Sequence, residues 1–222
     1  MKTAAIIPAY NEGLSIANVL KIVVDHPLID EVIVVDDGSE DRTSIIAKQY
    51  TRKVITLNEN IGKGKALDIG VDSTDAEVML FLDADLIHLD RDHVTTLLRP
   101  VVEGEYDMSV GALERPNIKI LNKKQEKLES PFSGMRAITR DVWNIIPRDY
   151  KNKFYLETAL TYIARKKKLK IKPLVLYGVK HIIKEKKHGL VKGHLLRWRM
   201  HFHIALAGIL VRLKKRRYGI TS

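Results

Sequence analysis

Val78-Met-Leu-Phe-Leu-Asp-Ala-Asp85 decides how this chain is read: an unbroken apolar run stops at two carboxylates one residue apart. The apolar side chains from Val78 to Leu82 suit a strand covered on both faces, as in the middle of a parallel sheet. Such sheets bind ligands beyond the C-terminal ends of their strands. Side chains at i and i+2 of an extended segment point the same way, so Asp83 and Asp85 converge on one point past the strand. Two carboxylates held together repel unless a cation joins them. Hard oxygen ligands suit Mg2+ or Mn2+, ions that also hold substrate phosphates. An isolated Asp-x-Asp is ordinarily an acidic surface turn, and it is the flanking sequence that argues for a site.

Upstream, the same pattern repeats. Thr3 to Ile7 reads as a first strand that Pro8 ends by removing an amide donor. After the turn Ala9-Tyr-Asn-Glu12, the apolar residues Ile16, Leu20, Val23 and Val24 recur at helical spacing. Glu31 to Asp36 is a second buried strand, again ending in paired carboxylates, Asp36 and Asp37, before the turn Gly38-Ser39. A helix over 41–50, a strand over 53–57 and a helix over 66–71 complete the run up to Val78. Strand and helix alternating in this way predict an α/β layered domain with a mostly parallel central sheet. Right-handed crossovers then bring Pro8 to Glu12, Asp36 to Ser39 and Asp83 to Asp85 to one rim. On that rim, carboxylates can accept from ribose hydroxyls and base N–H groups, and Lys63 or Lys65 of the turn Gly62-Lys-Gly-Lys65 can meet phosphate. The turn lacks the longer spacing of a P-loop.

Four blocks, Ile7-Pro-Ala-Tyr-Asn-Glu12, Val34-Val-Asp-Asp-Gly-Ser39 with Asp41, Gly62-Lys-Gly-Lys-Ala-Leu67 and Phe81-Leu-Asp-Ala-Asp85, resemble in order and spacing the nucleotide-sugar-binding half of glycosyltransferase family 2. The resemblance implies a GT-A fold, a UDP- or GDP-hexose donor and Mg2+ or Mn2+. It places Pro8, Tyr10, Glu12, Asp37, Lys63, Asp83 and Ala84 on the nucleotide sugar, with Asp83 and Asp85 on the metal. Asp41 reads as a structural residue at a helix start. Further on, Ser130-Pro-Phe-Ser-Gly134 with Arg136, Phe154-Tyr-Leu-Glu157 and Leu176-Tyr-Gly-Val-Lys-His181 are similar to the retaining glucosyl-3-phosphoglycerate synthases. That similarity implies an acceptor site at Ser133, Gly134 and Arg136, a glutamate, Glu157, facing the sugar, and His181 as the last metal ligand. Glu157 and Asp85 are the implied catalytic residues: Glu157 is a general base if transfer inverts, or the holder of a sugar hydroxyl if it retains. Polyprenyl-phosphate mannose synthases are a more distant likeness, since the glutamine of their acidic motif is here Ile87.

Charge divides the chain. Residues 1–111 carry 10 Lys and Arg against 20 Asp and Glu, and residues 112–222 carry 28 against 7, within a net charge of +11. An acidic half suited to a metal is followed by a basic half suited to an anionic acceptor or an anionic surface. The absence of cysteine excludes disulfides and thiolate-bound zinc. The organisation expected is a catalytic domain over 1–189, split near 112 into donor and acceptor halves, and a basic amphipathic helical extension over 190–222. That extension carries the stripe Leu196, Met200, Ile204, Ala207, Val211 beside Lys214-Lys-Arg-Arg217. The uncharged run 201–211 is shorter than the roughly 20 residues a bilayer span needs, so it would dock at an interface or pack on the core. No secretory leader is visible, and the expected location is cytoplasmic, with peripheral contact at the membrane face.

The function expected is hexose transfer from a nucleoside-diphosphate sugar to a phosphate-bearing or lipid-linked acceptor, without nucleic acid as a partner. Two other classes share some of these features. A nucleotidyltransferase making a nucleotide sugar would use the same sheet and metal carboxylates, although it usually opens with a glycine-rich basic loop where this chain has Pro-Ala-Tyr-Asn-Glu. A non-catalytic membrane- or nucleic-acid-binding module would use only the basic half.

Overall fold

The computed structural model describes residues 1–114, 133–151 and 156–182. Strands β1 (Thr3–Ala9), β2 (Glu31–Asp36), β3 (Lys53–Thr56) and β4 (Val78–Phe81) alternate with helices α1 (Ile16–Val23), α2 (Thr43–Ala47) and α3 (Lys63–Asp72). There follow β5 (Leu86–Ile87), α4 (Arg91–Val102), β6 (Met108–Leu113), β7 (Arg136–Thr139), α5 (Arg140–Asn144), α6 (Leu156–Lys166), β8 (Ile171–Leu176) and β9 (Lys180–His181). One seven-stranded sheet has the order β3-β2-β1-β4-β7-β6-β8, and β5 pairs with β9 in a second, two-stranded ladder. β1 to β4 are mutually parallel, β7 runs antiparallel to both neighbours, and β8 is parallel to β6. The expected α/β sheet is therefore present, mixed rather than parallel on its second side. Residue 112, the expected boundary between halves, falls inside β6, and both halves supply strands to one sheet.

Alternate side chains of the central strands build two cores. Ala5, Ile7, Val34 and Leu80 face Ile16, Leu20, Val94 and Leu98 of α1 and α4. Ile6, Ile33, Val35, Met79 and Phe81 face Leu67, Val71, Val142, Trp143 and Leu160 of α3, α5 and α6. Burial on both faces is what makes these strands near-continuous apolar runs. On the second face α3 comes so close that a Cβ at Gly70 would overlap the side chain of Ile6.

Pro8 does not end β1. The carbonyls of Lys2 and Ile6 accept from Glu77, Val78 and Leu82, whereas those of Thr3 and Ala9 accept from Asp30 and Asp37. Even-numbered residues thus face β4, and the β4 ladder stops at Ile6. Pro8 lies past that ladder's end, where a missing N–H breaks no strand pairing, and β1 continues along β2 to Ala9. Two helices also differ from expectation. α2 covers only Thr43–Ala47, and α3 begins at Lys63, so the lysines expected in a turn stand in a first helical turn.

Among the described residues no helix is long and apolar enough to cross a membrane. The amphipathic stripe of 190–222 lies outside the described residues.

Candidate active site

The C-terminal ends of β1, β2 and β4 share one edge, and the chain emerging from β4 carries the two aspartates into it. Ala84 between them is buried, which leaves the half-buried Asp83 and Asp85 on the open side. β5 begins one residue later and pairs Leu86 with His181 of β9, while the Ile182 amide donates to the Asp85 carbonyl at 3.0 Å. This pairing puts His181 Nδ1 2.8 Å from Asp85 Oδ1 and Nε2 3.8 Å from Asp83 Oδ2. Asp83, Asp85 and His181 each offer one ligand atom, all within 4.8 Å of one another. Desolvation alone would lower the His181 pKa, but the hydrogen bond to Asp85 and the charges of Asp83 and Asp85 outweigh it and raise it. The direction of the shift reflects the negative charge gathered where the two carboxylates converge. Two carboxylates and an imidazole are a donor set that Mn2+ accepts.

A second cation is built in. Lys63, in the first turn of α3, places Nζ 2.6 Å from Asp83 Oδ1 and 2.9 Å from Oε1 of Glu157, in the first turn of α6. Burial alone would lower the pKa of Lys63, yet the charges of Asp83 and Glu157 carry it upward, so it remains an ammonium. Sequence reasoning selected all three residues but gave no sign that one ammonium joins them.

Of the three residues expected at the acceptor, Gly134 alone borders this cluster. A Cβ there would lie 2.6 Å from Asp83 Oδ1 and would also overlap Lys63 Nζ. Ser133 is turned inward: it is buried, donates its hydroxyl to the Gly111 carbonyl and accepts from the Met135 amide. Arg136 is 0% exposed. Its Nε donates to the Ser133 carbonyl at 2.7 Å and its Nη1 to Thr161 Oγ1 at 2.9 Å. Arg136 begins β7, an inner strand covered by α6, so its guanidinium points into the protein and ties the 133–135 loop to the helix that carries Glu157. Both side chains, expected at the acceptor, are thus engaged within the protein rather than turned toward the cluster.

The donor side is laced by backbone donors. Asn11, in a left-handed conformation with φ 54°, donates its amide to Ser39 Oγ and accepts from the Glu40 amide. Glu12 donates its amide to Thr43 Oγ1, and Gly13 donates its amide to Asp41, which also accepts from the Thr43 amide at the start of α2. Asp37, expected on the nucleoside, is buried, with Oδ1 accepting from the Ile61 amide at 2.8 Å and Oδ2 from the Gly62 amide at 2.9 Å. Burial pushes the Asp37 pKa up, the two amides oppose this, and neighbouring Asp36 adds to it. Asp37 therefore clamps the loop that delivers Lys63. Gly38 is needed below the same loop: its φ is +72° and a Cβ would meet the Glu59 carbonyl carbon at 2.5 Å. Pro8 sits within β1, Glu12 accepts from Ser15 Oγ, and Tyr10, 43% exposed, faces outward beside them.

The sequence profile described as Glycosyl transferase family 2 matches residues 4–169, which takes in the donor loops, the aspartate pair and Glu157. The chain belongs to that family. Family 2 relatives include 4,4'-diaponeurosporenoate glycosyltransferase of Staphylococcus haemolyticus, 30% identical over 142 residues, 61% of this chain and 37% of that one. Dolichyl-phosphate beta-glucosyltransferase of Mus musculus is 39% identical over 102 residues, 37% of this chain and 30% of that one. The chain thus spans about a third of the length of these curated relatives. Among solved structures, glucosyl-3-phosphoglycerate synthase of Mycobacterium tuberculosis, crystallised with Mn2+, UDP and glucosyl-3-phosphoglycerate, superposes with a TM-score of 0.69. That likeness covers 82% of this chain and 72% of the other at 25% identity, and bears out the GT-A-like family 2 fold.

Proposed function

We propose that this family 2 chain is a divalent-cation-dependent glycosyltransferase that moves a hexose from a nucleoside-diphosphate sugar to a phosphate-bearing acceptor. The observation that carries the reading is the Asp83–Asp85–His181 cluster joined through Lys63 to Glu157. The similar synthase crystallised with Mn2+ and UDP supports both the cation and the donor class. Asp83, Asp85 and His181 would hold Mn2+ or Mg2+, which when bound acts as a Lewis acid on the departing diphosphate.

The chain's own residues supply the rest. Lys63 remains charged and lies on the Asp83 side of the cluster, where an ammonium stabilises a diphosphate oxygen as charge develops. Glu157, held by that ammonium, accepts hydrogen bonds from hydroxyls of the donor sugar and fixes its orientation. Tyr10 offers an exposed ring for the base, with the partly exposed Glu12 beside it. Gly134 packs directly against Asp83 and Lys63, and the loop that carries it is the side from which an acceptor would reach the cluster. An acceptor phosphate suits the basic second half, and the similarity to a dolichyl-phosphate enzyme admits a lipid-linked one. The reaction would be cytoplasmic, with residues 190–222 as the candidate contact with a membrane face.

UDP or GDP release from UDP- and GDP-hexoses, measured with Mn2+ or Mg2+ and with either 3-phosphoglycerate or a polyprenyl phosphate, tests the reading. Metal-dependent release stimulated by one phosphate acceptor is the expected result. Pyrophosphate release from a nucleoside triphosphate and a sugar phosphate would make the protein a nucleotidyltransferase instead.

A further inference from the structure

The strand that carries His181 is poorly secured by its own pairing. β9 is two residues long, pairs among the described residues with the two residues of β5, and is exposed at both positions. A ladder this short does not hold itself. The chain just before it turns through Tyr177 and Gly178, the latter with φ +79°, and only Val179 is anchored in the core.

A side chain from the acidic segment meets that turn. Past β5 the chain passes through His88, left-handed at φ 61°, to Asp90, the N-cap of α4. Asp90 and His93 form a reciprocal cap: the His93 amide donates to Asp90 Oδ1 at 2.9 Å, and the Asp90 amide donates to His93 Nδ1 at 3.3 Å. With Nδ1 accepting, the ring proton lies on Nε2, which donates to the Tyr177 carbonyl at 2.9 Å. Nδ1 also lies 2.7 Å from Asp90 Oδ1, so the cap fixes the ring with Nε2 toward the Tyr177 carbonyl.

We infer that His93 is a positioning residue for the metal centre, fixing through the Tyr177 carbonyl the turn that sets His181 against Asp85. The segment holding two ligands, Asp83 and Asp85, meets the strand holding the third through the short β5–β9 pairing and the bond from the Ile182 amide to the Asp85 carbonyl. His93 adds a bond to the turn that precedes β9, where the Gly178 amide also donates to Glu114 Oε2 at 3.4 Å. The inference rests on the proposed role of His181 as a metal ligand.

The test is Mn2+ binding by the full chain without nucleotide, followed by the paramagnetic resonance of the free ion. His93→Asn keeps an acceptor near the Asp90 amide but ends short of Tyr177. His93→Gln carries an amide N–H the same number of bonds from Cβ as Nε2. His93→Asn should raise the free Mn2+ at half occupancy about tenfold, the low end of what groups supporting metal ligands contribute. His93→Gln should restore wild-type binding, and His93→Asn should change nothing further in a His181→Ala background. Should His93→Asn not fold, His93→Leu carries the same expectation. Unchanged binding in a folded His93→Asn or His93→Leu protein overturns the inference, as does an equal further loss when His181 is already alanine. Wild-type Mn2+ binding by His181→Ala itself would instead locate the failure in the metal-ligand assignment.

Discussion

Nζ of Lys63 lies 2.9 Å from Oε1 of Glu157 while also touching Asp83, so one ammonium neutralises two carboxylates. Under the proposed function, a cation arriving at Asp83 competes with Lys63 for it and leaves Lys63 to Glu157 and the donor diphosphate. Lys63→Met should therefore bind Mn2+ more tightly, because Asp83 loses its competing partner. Turnover should nevertheless fall by about 10² to 10³, the usual effect of removing a charge-stabilising donor. Lys63→Arg should not rescue, since a planar guanidinium does not replace a point charge between two carboxylates. Calorimetric Mn2+ titration together with steady-state UDP release reads both effects.

Asp85→Asn removes the charge of a proposed metal ligand and leaves His181 Nδ1 facing a neutral amide in place of a carboxylate. Metal-dependent transfer should be abolished while the fold survives, because Asp85 stands on an open rim outside both cores. Retained transfer in metal-limited buffer by a soluble Asp85→Asn protein would remove Asp85 from the metal site. Asp83→Asn should act in the same direction.

Gly134 is required by packing rather than by backbone freedom. A methyl group at this position would overlap both Asp83 and Lys63. Gly134→Ala should push the Asp83 carboxylate from its place and weaken Mn2+ binding about tenfold, with the melting temperature of the metal-free protein little changed. Equilibrium Mn2+ titration and a thermal melt, run side by side, check this.

The buried strands were legible because burial on both faces leaves its mark as uninterrupted aliphatic runs, and Val78 to Phe81 is one of them. Asp83, Asp85 and His181 were legible through spacing and resemblance, although the β5–β9 pairing that joins them leaves too short a pattern to read. The inward course of Arg136 was not legible because an arginine after a Ser-Gly loop resembles an anion site. Only the position of β7 between β4 and β6, covered by α6, shows that the side chain points inward. The bonds of Asp37 were not legible for a related reason: which carboxylate of an Asp-Asp pair clamps a distant loop depends on where residues 61 and 62 return in space. Pro8 shows that a local rule yields when a neighbouring ladder has already ended.

His26 provides a pH dependence remote from the site. It is 3% exposed, its Nε2 lies 3.1 Å from the Arg91 carbonyl and Thr95 Oγ1, and its Nδ1 accepts from the Leu28 amide. Burial lowers its pKa below the ordinary 6.5, a carbonyl contact at Arg91 partly opposes this, and the Arg91 charge adds to the lowering. The unfolded chain therefore takes up the proton first. Stability from neutral His26 is complete above pH 6.5 and is lost as pH falls from there toward the folded pKa. The slope contributed is at most about 1.4 kcal/mol per pH unit. Urea unfolding at pH 7.5 and 5.5 should show this loss in the wild type and a smaller one in His26→Gln.

Arg136 links stability to the site. Its guanidinium joins the Ser133 carbonyl, ahead of the glycine that packs on Asp83, to Thr161, whose hydroxyl also donates to the Glu157 carbonyl at 3.2 Å. Arg136→Lys keeps the charge, but an ammonium cannot serve both directions of the planar fork, so one buried acceptor loses its donor. Leaving a buried group unpaired costs about 1–3 kcal/mol, which fits a folded but less stable protein. The loosened 133–135 loop should then let Asp83 and Lys63 shift, so Mn2+ affinity and turnover fall together. Arg136→Met should be worse, because Ser133 and Thr161 both lose their partner. Urea denaturation paired with Mn2+ titration separates the two consequences: a stability loss with unchanged metal affinity would confine Arg136 to the core, and a coupled loss would assign it to the support of the site.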